Sequence, residues 1–112
     1  MRVLITLHPR MYREAIAHYL SQRRPALEVR IAPPEDVEEE VRAFGPHLLL
    51  RSDTDGLDPE VLEGVPYWVE VLYSDSMDAR ICVDGRIEEV GDISTDKLLR
   101  VADEAAARAR ET

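Results

Sequence analysis

Hydrophobic positions in the first half of the chain alternate between strand-like runs and helical spacing. Apolar runs or alternating positions predict strands over residues 3–7, 27–31 and 47–50. Helical spacing predicts one helix over residues 11–22 and a second that starts at Pro33-Pro34-Glu35-Asp36 and stops at Gly45-Pro46. The order β-α-β-α-β, with short connections, predicts a parallel sheet with right-handed crossovers.

The second half of the chain predicts a strand, a hairpin and a final helix. Residues 59–63 form at most a short helix, and a strand follows over residues 67–73. Asp84-Gly85, flanked by strands at 80–83 and 86–90, is typical of a two-residue hairpin turn. Ser94-Thr95-Asp96 caps a helix whose apolar positions are Leu98, Leu99, Val101, Ala102 and Ala105.

The connection after the fourth strand is short, because only residues 74–79 separate it from the next strand. A parallel crossover needs roughly a dozen residues or more, so the next strand either runs antiparallel or pairs elsewhere, and the covering helix is missing. We therefore predict a three-layer α/β sandwich with a mainly parallel sheet that is remodelled after the fourth strand. The predicted core contains Val3, Ile5, Ile16, Leu20, Phe44, Leu48, Leu49 and Leu50.

Length and composition indicate one globular domain over residues 1–112, of which 45% are hydrophobic. The formal net charge of −9 argues against binding to nucleic acid or to an anionic membrane surface. The single cysteine, Cys82, cannot form an internal disulfide and is predicted to be a small core residue. The apolar run at the N-terminus is too short for a signal peptide or a membrane span, so we expect a cytoplasmic protein.

Three segments resemble the receiver domain of bacterial response regulators. LHPRMYREAI resembles the end of the first receiver strand and the start of its first helix, FGPHLLLRSD is similar to the strand that carries the phosphoacceptor, and DISTDKLLRVADEA resembles the last helix. The three segments follow one another in the receiver's order. The resemblance implies a flavodoxin-like fold and a role in signal transduction, and it points to small receiver-like proteins of bacteria.

The residues that carry receiver chemistry are replaced in this chain. The resemblance places the acid pair, which binds Mg²⁺ in receivers, on Leu7 and His8, and neither side chain is an oxygen ligand. It places the phosphoacceptor on Ser52, with Asp53 one residue later, and the hydroxyl that follows the receiver's fourth strand on Ser74. The receiver's lysine has no counterpart in ICVDGRIEEV. Because phosphoryl transfer needs charge neutralisation, we expect no phosphorylation chemistry and no cofactor.

Two other interpretations of the strand ends stay open in the sequence. The acids of DTDGLD, Asp53 to Asp58, could hold a metal ion or form a solvated loop, and the glycine is misplaced for a calcium loop. His8, Ser52, Asp53 and Ser74 are predicted at one sheet edge, where a small enzyme or a ligand-binding protein could use them. No nucleophile elbow or phosphate loop accompanies them, so we favour a non-catalytic regulatory or protein-interaction module, with no metal.

The fourth strand predicts self-association, through an interface of Trp68, Glu70, Leu72, Ile81 and Val83. Its odd-numbered residues, from Tyr67 onward, are predicted to face the core, and Trp68, Glu70 and Leu72 the opposite side. A glutamate beside a tryptophan indicates a face that one chain does not bury, and Ile81 and Val83 are expected to extend it. A homodimer is the expected outcome, alongside a further protein partner. The alternative is that the hairpin or the last helix folds over Trp68.

Overall fold

The computed structural model of the protein describes residues 1–72, 78–83, 85–91 and 94–110. These residues form one mixed sheet and four α-helices. The strands are β1 (Arg2–Ile5), β2 (Glu28–Ile31), β3 (Leu48–Ser52), β4 (Tyr67–Leu72), β5 (Asp78–Val83) and β6 (Arg86–Val90). The helices are α1 (Arg10–Arg23), α2 (Val37–Phe44), which follows a 3-10 turn over Pro34–Asp36, α3 (Pro59–Glu63) and α4 (Thr95–Arg110).

The sheet has the strand order β2-β1-β3-β4-β5-β6. The four strands from β2 to β4 are parallel to one another, whereas β5 runs antiparallel to β4 and β6 antiparallel to β5. Of the two alternatives that the short fourth connection allows, the antiparallel strand is therefore the one present. The Arg86–Val90 strand follows β5 as the second arm of the predicted hairpin, with Val83 opposite Arg86.

Helices cover the sheet on both faces, which makes the molecule an α/β sandwich. One face, here called the α1–α4 face, buries Ile16 and Leu20 of α1 and Leu98 and Ala105 of α4 against the odd-numbered residues of β1 and β4. The other, the α2–α3 face, holds a smaller cluster made by Leu4, Val37, Val41, Leu49 and Val65. Because β1 and β3 are covered on both sides, the residues of β1 after Arg2 and all those of β3 are buried, as the continuous apolar runs predicted.

The boundaries of some elements differ from the predicted ones because backbone pairing between strands, and not the hydropathy of the residues, determines where a strand ends. Strand β3 extends two residues beyond the predicted 47–50 segment, to Ser52, because Ser52 still pairs with Val71 of β4. Helix α2 ends where predicted, and Gly45 accepts the left-handed conformation there (φ 61°), which costs glycine little. The predicted strand residue Tyr73 lies outside the described residues.

The predicted core is confirmed at seven of its eight positions, which are buried: Val3, Ile5, Ile16, Leu20, Leu48, Leu49 and Leu50. Phe44 is only half-buried and lies under the guanidinium of Arg30, which is 5.4 Å from its ring centroid. Cys82 is buried, as predicted. In β4 the burial alternates as expected, with Tyr67, Val69 and Val71 in the core.

Candidate functional site

The ends of β1 and β3 bring His8 and Ser52 together at the carboxyl edge of the parallel strands. Ile5 pairs with Leu50. Beyond this pair, the backbone N–H of His8, three residues after Ile5, donates a hydrogen bond to Ser52 Oγ, two residues after Leu50, at 3.0 Å. Ser52 is 1% exposed, whereas His8 is exposed. The bond joins the hydroxyl to a backbone amide and not to the imidazole, so it holds two strand ends together without the geometry of a nucleophile and its base.

Asp53 and Ser74 are the other two residues that were predicted at this sheet edge. Asp53 follows β3 directly, is half-buried, and its backbone N–H donates to the carbonyl of Val71 at 3.1 Å. Ser74 lies outside the residues that the structure describes. The strand-end site consists, for the described residues, of His8, Ser52 and Asp53.

A buried arginine of α1 contacts the segment that follows β1, beside the strand-end site. Leu7, which stands where the resemblance places an acid, is fully buried in the core of the α1–α4 face. Arg13 of α1 is 9% exposed and its Nη1 donates to the carbonyl of Leu7 at 3.3 Å. The peptide bond that follows, between His8 and Pro9, is cis. At the position where the resemblance places a receiver's metal ligands, the structure thus has apolar packing and a backbone carbonyl that accepts a hydrogen bond from Arg13.

A second buried arginine, which sequence reasoning missed, organises the opposite side of β3. Arg51 binds Asp55 through two parallel contacts, Nε to Oδ2 at 2.9 Å and Nη2 to Oδ1 at 2.6 Å, and its Nη1 contacts Glu70 Oε2. The side chains are 7%, 0% and 13% exposed for Arg51, Asp55 and Glu70 respectively. We call these three residues the arginine cluster. Arg80 reaches the second oxygen of Glu70 at 3.4 Å and links the cluster to solvent.

The electrostatics of the arginine cluster keep its cation charged. Burial by itself lowers the pKa of Arg51, but hydrogen bonds and charges from Asp55 and Glu70 outweigh it, so the pKa lies above its ordinary value. A planar guanidinium that meets two carboxylates in this way satisfies most of its donors. The sequence carried only part of the signal, two opposite charges at Arg51 and Glu70, because the strand register that places them side by side is known only from the structure.

Two of the acids of residues 53–58, Asp55 and Asp58, have structural roles, and the solvated-loop interpretation is wrong for Asp55. Its side chain is fully buried and also accepts a hydrogen bond from the backbone N–H of Leu57 at 2.9 Å. Asp58 caps α3, since its Oδ1 accepts from the N–H of Glu60 at 2.9 Å. Among the described residues, no group of three acidic, histidine or cysteine side chains is placed to hold a metal ion.

The five residues of the predicted interface do not form one surface. The pairing of Trp68 with Cys82 and of Val69 with Ile81 puts Ile81 on the α1–α4 face, where it is 3% exposed. Val83 lies on that same face, partly buried against the core. Ile81 and Val83 therefore do not extend the side of β4 that carries Trp68, because side chains alternate along each strand.

The remaining three residues of that prediction, Trp68, Glu70 and Leu72, share the α2–α3 face and are half-buried. Trp68 packs against the cluster of that face. Glu70 is neutralised within the chain by Arg51 and Arg80, so its charge does not require a partner molecule. The glutamate therefore no longer indicates an intermolecular contact.

Comparisons of the chain with protein-family models, with curated proteins and with solved structures found no match. In the part of the chain that the structure describes, no helix combines the length and the apolar character that crossing a membrane requires.

Proposed function

We propose that the protein is a non-catalytic regulatory or protein-interaction module, a receiver-like domain without the phosphorylation chemistry. The observation that carries the proposal is the state of Ser52, the residue to which the resemblance assigns the phosphoacceptor position. Its hydroxyl is buried and accepts a hydrogen bond from the N–H of His8, and Leu7, which precedes His8 in the chain, is apolar. A phosphoryl group there would bring nearly two negative charges, and Leu7 and His8 do not supply the acid pair that binds a charge-neutralising Mg²⁺ in receivers.

The topology supports the receiver-like part of the proposal. The order β2-β1-β3-β4 of the parallel strands, with helices on both faces, is the order in which a flavodoxin-like sheet begins. The antiparallel β5–β6 hairpin then stands where a receiver would continue with a helix and a parallel strand. A domain that keeps the scaffold and replaces the chemistry can still present surfaces to other proteins, either a second copy of itself or an unrelated partner.

Attempted phosphorylation tests the proposal. Wild-type protein is incubated with Mg²⁺ and acetyl phosphate, or with beryllofluoride, beside a receiver domain that retains its acid pair as positive control. We expect no increase in intact mass and no saturable shift of the amide signals of Ser52 and Asp53. An adduct that disappears in Ser52→Ala or Asp53→Asn would refute the proposal, because it would show a working phosphoacceptor at this edge.

A further inference from the structure

Strand β6 leaves an edge of the sheet open. It pairs with β5 and with no other strand among the described residues. An edge strand presents unpaired backbone N–H and C=O groups, which are a template for pairing with another chain. Ile87 of this strand is 61% exposed and is one of three large hydrophobic side chains that are exposed among the residues that the structure describes. The edge thus combines free backbone groups with an apolar side chain.

We propose that β6 pairs with β6 of a second copy of this chain, antiparallel about a twofold axis, with Ile87 opposite the partner's Ile87. The two sheets then form one continuous twelve-stranded sheet, twice the six strands of one chain. This inference rests on the proposed function and deepens it, because it names the surface through which the module associates with itself. It replaces the surface around Trp68 that the sequence suggested.

The charges of β6 favour this register over those centred on the three charged residues of the strand. Residues directly opposite each other in an antiparallel pair project to the same face. A register centred on Arg86, Glu88 or Glu89 places the charged residue at its centre opposite the same residue of the partner. The register centred on Ile87 places Arg86 opposite the partner's Glu88, and Glu88 opposite the partner's Arg86. It therefore gives two opposite-charge pairs around one apolar pair.

The hydrogen-bonding pattern of the hairpin agrees with the same register. Val83 and Arg86 close the hairpin opposite each other, so their backbone groups face one another. Backbone groups alternate in direction along a strand, so those of Ile87 point to the open edge. Ile87 and the partner's Ile87 can then exchange both N–H···O=C bonds at the twofold axis.

Space on the α1–α4 face supports the pairing as well. A groove of about 440 Å³ lies between α4 and the β5–β6 hairpin, and Val83, Arg86, Glu88, Lys97 and Val101 are among the residues that line it. Arg86 and Glu88 project to this face because they pair with Val83 and Ile81 of the core. Side chains that an added strand projects to this face therefore have room beside α4.

Charge reversal tests both the dimer and its register. Light scattering or sedimentation of the wild type should give twice 12.7 kDa. R86E and E88R should each weaken the dimer about tenfold or more, because each puts like charges opposite one another twice. The double variant R86E/E88R should restore the dimer, and a mixture of the two single variants should give a heterodimer. Arg100→Glu, on the exposed surface of α4, is the control and should leave the dimer intact.

A second variant separates loss of pairing from loss of folding. Ile87→Lys should give a monomer whose circular dichroism and melting curve match those of the wild type, because the side chain is exposed. A wild type that is monomeric at millimolar concentration would overturn the inference. So would a dimer that tolerates Ile87→Lys and both charge reversals but is lost in Trp68→Glu. Neither result touches the phosphorylation test, so failure of the inference is distinguishable from failure of the proposed function.

Discussion

At the scale of single residues, the arginine cluster ties β3 to β4 on the α2–α3 face. Arg51 contributes one buried cation to two carboxylates, and Asp55, whose side chain is fully buried, accepts three hydrogen bonds in all. Such a network stabilises less than its contacts suggest, since burying the charges costs several kcal/mol. Its removal is costly for a different reason, because the partner charges stay buried without compensation.

Replacing Arg51 should therefore be much more harmful than replacing its exposed neighbour. We expect Arg51→Met to lower the free energy of unfolding by about 3–5 kcal/mol, because it leaves Asp55 and Glu70 without their main counter-charge. Arg80→Gln removes the other arginine that contacts Glu70, but that side chain is 46% exposed, so the cost should be about 1 kcal/mol or less. Urea denaturation of both variants measures the difference. Equal effects would show that the burial of Arg51 does not matter.

His47 gives the stability a dependence on pH. Its Nδ1 accepts a hydrogen bond from the backbone N–H of Arg2 at 3.0 Å. Burial lowers the pKa of His47, and the positive charge of Arg2 lowers it further. Because the folded pKa lies below the unfolded value of about 6.5, the unfolded state takes up the proton first as the pH falls. The contribution of His47 is therefore complete above about pH 6.5 and is lost as the pH falls through the lowered folded pKa.

Denaturation midpoints at pH 7.5 and 5.5 measure this dependence. We expect the wild type to lose stability between the two, and His47→Asn, which keeps an acceptor for the Arg2 N–H, to lose less. If the variant and the wild type lose the same amount, His47 is not the group responsible.

At the scale of elements, β3 is the central parallel strand, and helices cover both of its faces. All five of its residues are buried, from Leu48 to Ser52. Leu48 and Leu50 belong to the core of the α1–α4 face and Leu49 to that of the α2–α3 face. A strand buried on both sides holds the two layers of helices in register, so its leucines should dominate the stability of the domain.

Truncation of Leu49 tests the position of β3. We expect Leu49→Ala to cost about 2–5 kcal/mol, because it removes a fully buried side chain and leaves a cavity. Met11→Ala, at a side chain that is 80% exposed, is the matched control and should change stability by about 0.5 kcal/mol or less. A loss below about 1 kcal/mol for Leu49→Ala would contradict the buried position of the strand.

The order of elements could be predicted from the sequence, because each carries a local signal. Apolar runs marked β1 and β3, helical spacing marked α1, and Ser94, whose Oγ accepts the N–H of Lys97 at 3.2 Å, marked the start of α4. Contacts that depend on how the elements meet could not be predicted in this way. Arg51 with Glu70 needs the β3–β4 register, and the separation of Ile81 from Trp68 needs the β4–β5 register.

At the scale of the whole molecule, the strand-end site and the open edge of β6 lie in different parts of the sheet. The first is built from β1 and β3 near its middle, where His8 binds the buried hydroxyl of Ser52. The second is the last strand, with exposed Ile87 between opposite charges. In the proposed account the first site has lost its chemistry, and the second supplies the association through which the module acts.

The most direct test of this account is the molar mass by light scattering, with and without Mg²⁺ and beryllofluoride. We expect twice 12.7 kDa in both conditions, since association through β6 does not depend on a phosphoryl analogue at Ser52 or Asp53. A mass that changes when the analogue is added would contradict the central claim, because such a response requires a working phosphoacceptor pocket.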